Sequence, residues 1–168
     1  VYTTVTREEL AAIVKAAHAR HLTVLGHLCS IGFKEAADLG LDSIEHMLFT
    51  DAELVQDKAE DDCPGNRVMD AFLHLSPNDP KISETIDYLI RHHVALSATP
   101  AIYETFVPSG PKLESREYGM MTNTMRDGYL ESRRALAENP YTNVQFDNDM
   151  SFAVRLFRPA GLLMSGAD

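Results

Sequence analysis

Hydrophobic positions along the chain switch repeatedly between a helical period and short apolar runs. Thr6-Arg7-Glu8-Glu9 has the pattern of a capping box, in which the Thr6 hydroxyl and the Glu9 carboxylate satisfy free backbone N–H groups. Leu10, Ile13, Val14 and Ala17 follow at helical spacing and predict one apolar face. Thr23–Leu28 then reads as a buried strand. Ser30 is placed to cap a second helix running through Ala37, with Gly40 as its left-handed stop. Ser43–Met47 is the next strand, and Thr50-Asp51-Ala52-Glu53 has the pattern of a second capping box before a polar loop through Gly65. Asp79-Pro80 supplies a cap and a first-turn proline for a helix to about His92. Val94–Thr99 is a third strand, stopped by Pro100. A turn region with Pro108, Gly110 and Pro111 precedes a helix from Leu113 to Ala137, ended by Asn139-Pro140. A last helix around Asp149–Phe157 leads to a fourth strand, Gly161–Gly166, which delivers Asp168.

Strands that alternate with helices imply a parallel sheet, so the predicted class is α/β. Four strand–helix units make half of an eight-unit (β/α)8, or TIM, barrel. An open doubly wound sheet is the alternative, but no glycine-rich phosphate loop of either common type is present. The expectation is one domain over 1–168, with a variable insertion at about 103–145.

Charge narrows the partners. The 168 residues carry a formal net charge of −10, and no window gathers Lys and Arg into a stripe. Nucleic acid and anionic membrane surfaces both need cationic protein, so neither is expected. No apolar run reaches the roughly 18 residues of a membrane span. Cys29 and Cys63 are too few for a disulfide framework, and their spacing is wrong for a structural zinc site. Cys29 is expected as a small buried core thiol. The compartment stays undecided.

His27 and His46 each fall at or near the end of an apolar strand, one β–α unit apart. Neighbouring parallel strands would bring both imidazoles to the sheet edge that carries barrel active sites. Asp168 holds the equivalent place on the fourth strand. Two histidines and a carboxylate suit a divalent metal such as zinc. A histidine at a single strand end is more often a hydrogen-bonded structural residue. On the residues alone, a metal site and a structural pair both remain open. Glu45, by strand alternation, is expected to point away from His46 and under the helices. His18, His21, His92 and His93 lie at helix ends and read as structural. Tyr103, Glu104, Arg116, Tyr118, Met120 and Met121 follow the third strand and are given no role.

Several of these stretches resemble a known family. Glu9 through Arg20, then Leu22-Thr23-Val24-Leu25-Gly26-His27, is similar to the fourth helix and fifth strand of the amidohydrolase superfamily, in its imidazolonepropionase-like and Xaa-Pro dipeptidase-like branch. Leu39-Gly40-Leu41-Asp42-Ser43-Ile44-Glu45-His46 resembles that branch's sixth strand, an aliphatic–Glu–His triplet after a glycine turn. Ser97-Ala98-Thr99-Pro100 resembles the seventh, and Gly161 through Asp168 the eighth. The resemblance implies strands 5 to 8 of the barrel and hydrolysis of amide or cyclic amide C–N bonds in a small-molecule or dipeptide substrate. It implies that His27 and His46 bind the more exposed of one or two zinc-like ions. Asp168 would touch the buried ion and act as general base.

The family's first-strand His-x-His pair has no match, nor does the fourth-strand lysine that bridges two metals. Val1-Tyr2-Thr3 resembles the residues just after that lysine, and Ala167 stands where many relatives have Thr. The expectation is therefore a fragment of a longer enzyme. Its alternative is a non-catalytic half-barrel that associates with another subunit, as a homo-oligomer for example.

Overall fold

The capping box at Thr6 forms as its sequence demands. Thr6 Oγ1 accepts from Glu9 N, and Glu9 Oε2 accepts from Thr6 N at 2.9 Å. It opens α1 (Arg7–His18), which buries Leu10 and Val14. The apolar face is narrower than its spacing predicts, because Ile13 is 41% exposed. The computed structural model describes residues 1–76, 78–138, 143–157 and 162–166. The expectations on Asn139-Pro140, Gly161, Ala167 and Asp168 lie outside them.

Four short strands form one sheet: β1 (Leu25–Gly26), β2 (Ser43–Glu45), β3 (Ala95–Ala98) and β4 (Leu163–Ser165). Every pairing is parallel, in the order β1-β2-β3-β4. A parallel neighbour can be reached only through a crossover. The first crossover is α2 (Phe33–Asp38), and Gly40 after it takes the left-handed conformation foreseen, at φ +86°. The second holds two 3-10 turns (Leu48–Thr50 and Ala52–Leu54), then α3 (Asn66–Leu73) and α4 (Pro80–Arg91). The third holds α5 (Pro100–Glu104), α6 (Ser115–Met120), α7 (Asn123–Ala135), a 3-10 turn (Leu136–Glu138) and α8 (Asn143–Phe157). Among the described residues, no helix is long and apolar enough to cross a membrane.

Register explains which face is buried. Gly26, Ile44, Leu96 and Leu163 lie in one row across the sheet. Ile44 and Leu96 are fully buried in a core shared with Leu10, Phe33, Leu89 and Leu156 from the helices. On the other face the outer strands are exposed, Leu25 at 43% and Met164 at 41%, while Ser43 and Ser97 between them are buried. Glu45 belongs to that second face, in register with Ser97. The expectation that Glu45 lies under the helices therefore fails, and Ile44 takes that place.

Several local readings change. Ser30 does not cap α2; its hydroxyl donates to Val5 O, and Gly32 stands at the cap position. The first N–H groups of α2 are instead taken by Asp51 and Glu53. Asp51 Oδ1 accepts from Phe33 N at 3.0 Å, and Glu53 Oε1 from Lys34 N and Glu35 N at 2.9 and 3.0 Å. Asp51 also accepts from Glu53 N and caps the 3-10 turn that follows it, so this segment serves two elements. Helix α3 carries no Ser, Thr, Asp or Asn cap, because Gly65 holds that position; without a start signal it was invisible in the sequence. The single helix expected from Leu113 is two, because Thr122 leaves the helical conformation and its hydroxyl caps α7 through Met125 N.

Cys29 and Cys63 form a disulfide, which corrects the expectation of a core thiol. Arg7 holds the 55–65 segment against α1 and α2, beside the β1–α2 loop, whose Ser30 bonds to Thr3 O and Val5 O. Arg7 N and Nη1 both donate to Asp61 Oδ1, at 2.9 and 3.0 Å, and its guanidinium also pairs with Glu35. The disulfide bridges a sequence separation of 34, for which chain entropy gives about 4 kcal/mol of stabilisation. Urea unfolding with and without a thiol reductant is expected to differ by about that amount. The Cys29→Ser/Cys63→Ser double variant should match the reduced protein, and coincident curves would show that the bridge contributes nothing.

Candidate functional site

His27 follows the last residue of β1, and His46 the last residue of β2. Parallel pairing brings them to the same sheet edge. Their ring centroids are 4.3 Å apart, with the planes at 78°. The backbone accounts for how they meet. The His27 N–H donates to Val1 O at 3.2 Å, and Val1 N donates to Leu25 O at 2.6 Å. That is the bonding pattern of a parallel ladder opposite Gly26. The His46 N–H donates to Ser97 O at 3.0 Å, which ties it to β3.

Strand alternation does not continue into His46. It adopts φ +71°, a left-handed conformation that costs a non-glycine residue about 1–2 kcal/mol. Conformations of this kind persist only where the surroundings enforce them, and they gather at functional sites. Here the imidazole is 4% exposed, and its Nδ1 is hydrogen-bonded to Thr99 Oγ1 at 2.8 Å. Thr99 is itself 2% exposed and precedes α5, so it is a rigid anchor. Tyr2 packs edge-on to His27 at 4.9 Å, and Tyr103 edge-on to His46 at 5.7 Å. Neither Thr99 nor the tyrosines was singled out as part of a site in the sequence. Only the positions of Thr99 and Tyr103 just past a strand end could have marked them.

This geometry suits metal ligation in one respect. With Nδ1 held by Thr99, Nε2 is the nitrogen of His46 that would bind a cation, the usual division of labour in a ligating histidine. His27 and His46 would then supply two imidazole ligands. Asp168, the third residue expected at the site, lies outside the described residues. Among the described residues, no group of three or more His, Cys, Asp or Glu side chains is arranged to hold a metal ion.

Three of the other histidines have structural partners, among them His74, whose Nδ1 lies 2.6 Å from Asp70 O. His18 Nε2 is 2.9 Å from Asp42 Oδ2, an oxygen that also accepts from Val24 N at 2.7 Å. His92 stacks on Tyr88, with centroids 4.4 Å apart. His21 and His93 adopt positive φ just past the ends of α1 and α4.

Asp51 has the other chemically unusual side chain. It is 1% exposed, and burial, reinforced by the charge of Glu53, pushes its carboxyl pKa up to about 7. A shifted carboxyl can mark an active site, but this one is committed to architecture. Its Oδ1 accepts from Phe33 N and Glu53 N, while Oδ2 is buried without a hydrogen-bond partner.

No protein-family model matches the chain, and no curated protein is significantly similar to it.

The Asp51 environment sets a direction for pH dependence. Its folded pKa, about 7, lies above the ordinary carboxylate value of 3.8. The group therefore contributes stability that is complete below pH of about 4 and is lost as pH rises through about 7. Asp51→Asn keeps the acceptor and removes the titration. Relative to wild type, the variant is expected to gain on the order of 2–4 kcal/mol between pH 4 and pH 8 in denaturant unfolding. A stability difference that does not change with pH would contradict this reading.

Proposed function

We propose that the chain is the part of a (β/α)8 barrel comprising strands 5 to 8 of a metal-dependent amidohydrolase. It would hydrolyse an amide or cyclic amide C–N bond in a small molecule or dipeptide. The observation that carries most weight is the meeting of the His27 and His46 rings at one end of adjacent parallel strands. That edge carries the active site in barrel enzymes. Imidazole nitrogens favour a borderline-soft divalent ion, zinc first, with one or two ions in a complete site. When bound, such an ion polarises the scissile carbonyl and lowers the pKa of its water to about 7.

The chain's own residues take definite parts in this reading. His27 and His46 hold the ion, and Thr99 fixes the ring of His46 through Nδ1. Tyr2 and Tyr103 cover the imidazole edges and limit water around them. Asp168 enters by the family resemblance, as the carboxylate that accepts the proton of the attacking water. The Cys29–Cys63 disulfide fits an oxidising compartment.

A second reading draws on the exposed outer strands of the sheet's other face. Parallel sheets are normally covered on both sides, yet Leu25, Met164 and Leu162 are 43%, 41% and 53% exposed. Edge strands in that state favour association. This supports a non-catalytic half-barrel that pairs with another subunit.

Hydrolysis of a panel of dipeptides and cyclic amides, read with sedimentation, separates the two. The first reading expects the complete enzyme to show turnover that a chelator abolishes and zinc, manganese or cobalt restores. It also expects His27→Ala and His46→Ala each to lower turnover by about 100-fold or more. Turnover unchanged in both variants rules out the metal role. A monodisperse dimer with no metal and no turnover supports the second reading.

A further inference from the structure

The segment between β3 and α8 builds a cavity of its own, about 400 Å³ in volume, between the turn after α5 and the helices α6 and α7. That size accommodates a small organic molecule. Phe106, Leu113, Tyr129 and Leu136 form an apolar wall, and two cations, Lys112 and Arg133, border it. The shape is held from several sides. Tyr129 Oη accepts from Leu113 N at 3.2 Å, which fastens the chain entering α6 to α7. A side chain at Gly110 would come within 1.9 Å of Glu104 O, so the turn that carries Lys112 to the cavity has little freedom.

The cavity lining carries two cations, Lys112 and Arg133, and one carboxylate, Glu117. The protein as a whole has a formal net charge of −10, yet neither Lys112 nor Arg133 has a carboxylate partner among the described residues. Arg133 is half-buried. Its Nη2 donates to Pro108 O at 3.1 Å and, more weakly, to Gly110 O at 3.5 Å; among the described residues no acceptor is bonded to Nε or Nη1. The nearby carboxylate, Glu117, is engaged in capping α6, where its Oε2 accepts from Glu114 N at 2.8 Å. A half-buried guanidinium that keeps N–H donors at Nε and Nη1 favours an anionic acceptor. The apolar wall beside it favours a ring or short hydrocarbon.

We propose that this cavity is a binding site for a small amphipathic carboxylate. Its anionic end would lie on Arg133 and Lys112, and its apolar body on Phe106, Tyr129 and Leu136. The assignment does not depend on a metal at His27 and His46. Phe106 also touches Tyr103 at 6.0 Å between ring centroids, and Tyr103 packs on His46, so the cavity adjoins the histidine pair through two aromatic contacts.

Calorimetric titration of the whole chain with benzoate tests the proposal, with benzyl alcohol as the uncharged comparison. One saturable site is expected for benzoate, with a Kd on the order of millimolar or tighter for so small a ligand. Benzyl alcohol should bind about 10-fold more weakly or worse, and added salt should weaken benzoate alone. Arg133→Gln should lower benzoate affinity by about 10-fold or more. Arg133 also ties two backbone carbonyls, so Lys112→Glu serves as a second variant that leaves those bonds in place. It too should weaken benzoate binding while helix content by circular dichroism stays unchanged. No saturable binding, equal affinity for benzyl alcohol, or unaltered benzoate affinity in folded Lys112→Glu would each overturn it.

Discussion

Because β2 hydrogen-bonds to β1 and β3 in the parallel sense, each strand of this chain has to be reached by a crossover, and all strands end at the same sheet edge. That constraint sets the rest. It layers α2, α4 and α8 against the row of Ile44 and Leu96, where they bury a common core. It also delivers the residues after Gly26, Glu45 and Ala98 to one place, which is how His27, His46 and Thr99 meet. The pair His27–His46 is a consequence of register, reinforced by the unusual backbone of His46 and its bond to Thr99.

The polar interior serves the same geometry. Helix α2 is too short to hold itself together by propensity, and its first N–H groups lie inside the protein. Asp51 and Glu53 reach those groups from the second crossover, at the cost of burying their own carboxylates, and burial raises the pKa of both. Lys34 lies 3.5 Å from Glu53 Oε2 and returns part of the lost charge stabilisation. Arg7 and the Cys29–Cys63 bridge then join the 55–65 segment to α1 and to the loop carrying His27. The loop after β1 is thus pinned at Cys29 by the bridge and at Ser30 by its bond to Val5 O.

Sequence periodicity captured the order of the strands, the capping box at Thr6, the Asp79-Pro80 start of α4 and the pairing of the two histidines. These are local signals or follow directly from a β–α repeat. What it missed depends on contacts far apart in the chain. Asp51 caps the short 3-10 turn that follows it, as its sequence suggests, but it and Glu53 also cap a helix 18 residues earlier. Cys29 and Cys63 gave no spacing motif, and their approach follows from contacts distant in sequence, Arg7 with Asp61 and Ser30 with Val5. Thr99 had no motif at all, since its role depends on the direction of the His46 ring. Glu45 was placed wrongly because the ladder row that packs under the helices runs through Ile44. The third residue of the expected site, Asp168, falls outside the described structure. The family resemblance therefore reaches the fold only as far as an α/β chain with a four-stranded parallel sheet.

The central claim is that His27 and His46 form the imidazole half of a metal site, with Thr99 orienting one of them. Zinc binding to the purified chain, measured calorimetrically beside the His46→Ala and Thr99→Val variants, addresses it most directly. The account expects a single high-affinity site in the wild type that is lost in His46→Ala. In Thr99→Val the affinity should fall by roughly 10–100-fold, the effect of removing the partner of a ligating histidine. Wild-type protein that binds no zinc, or a His46→Ala variant that binds it equally well, would contradict the claim.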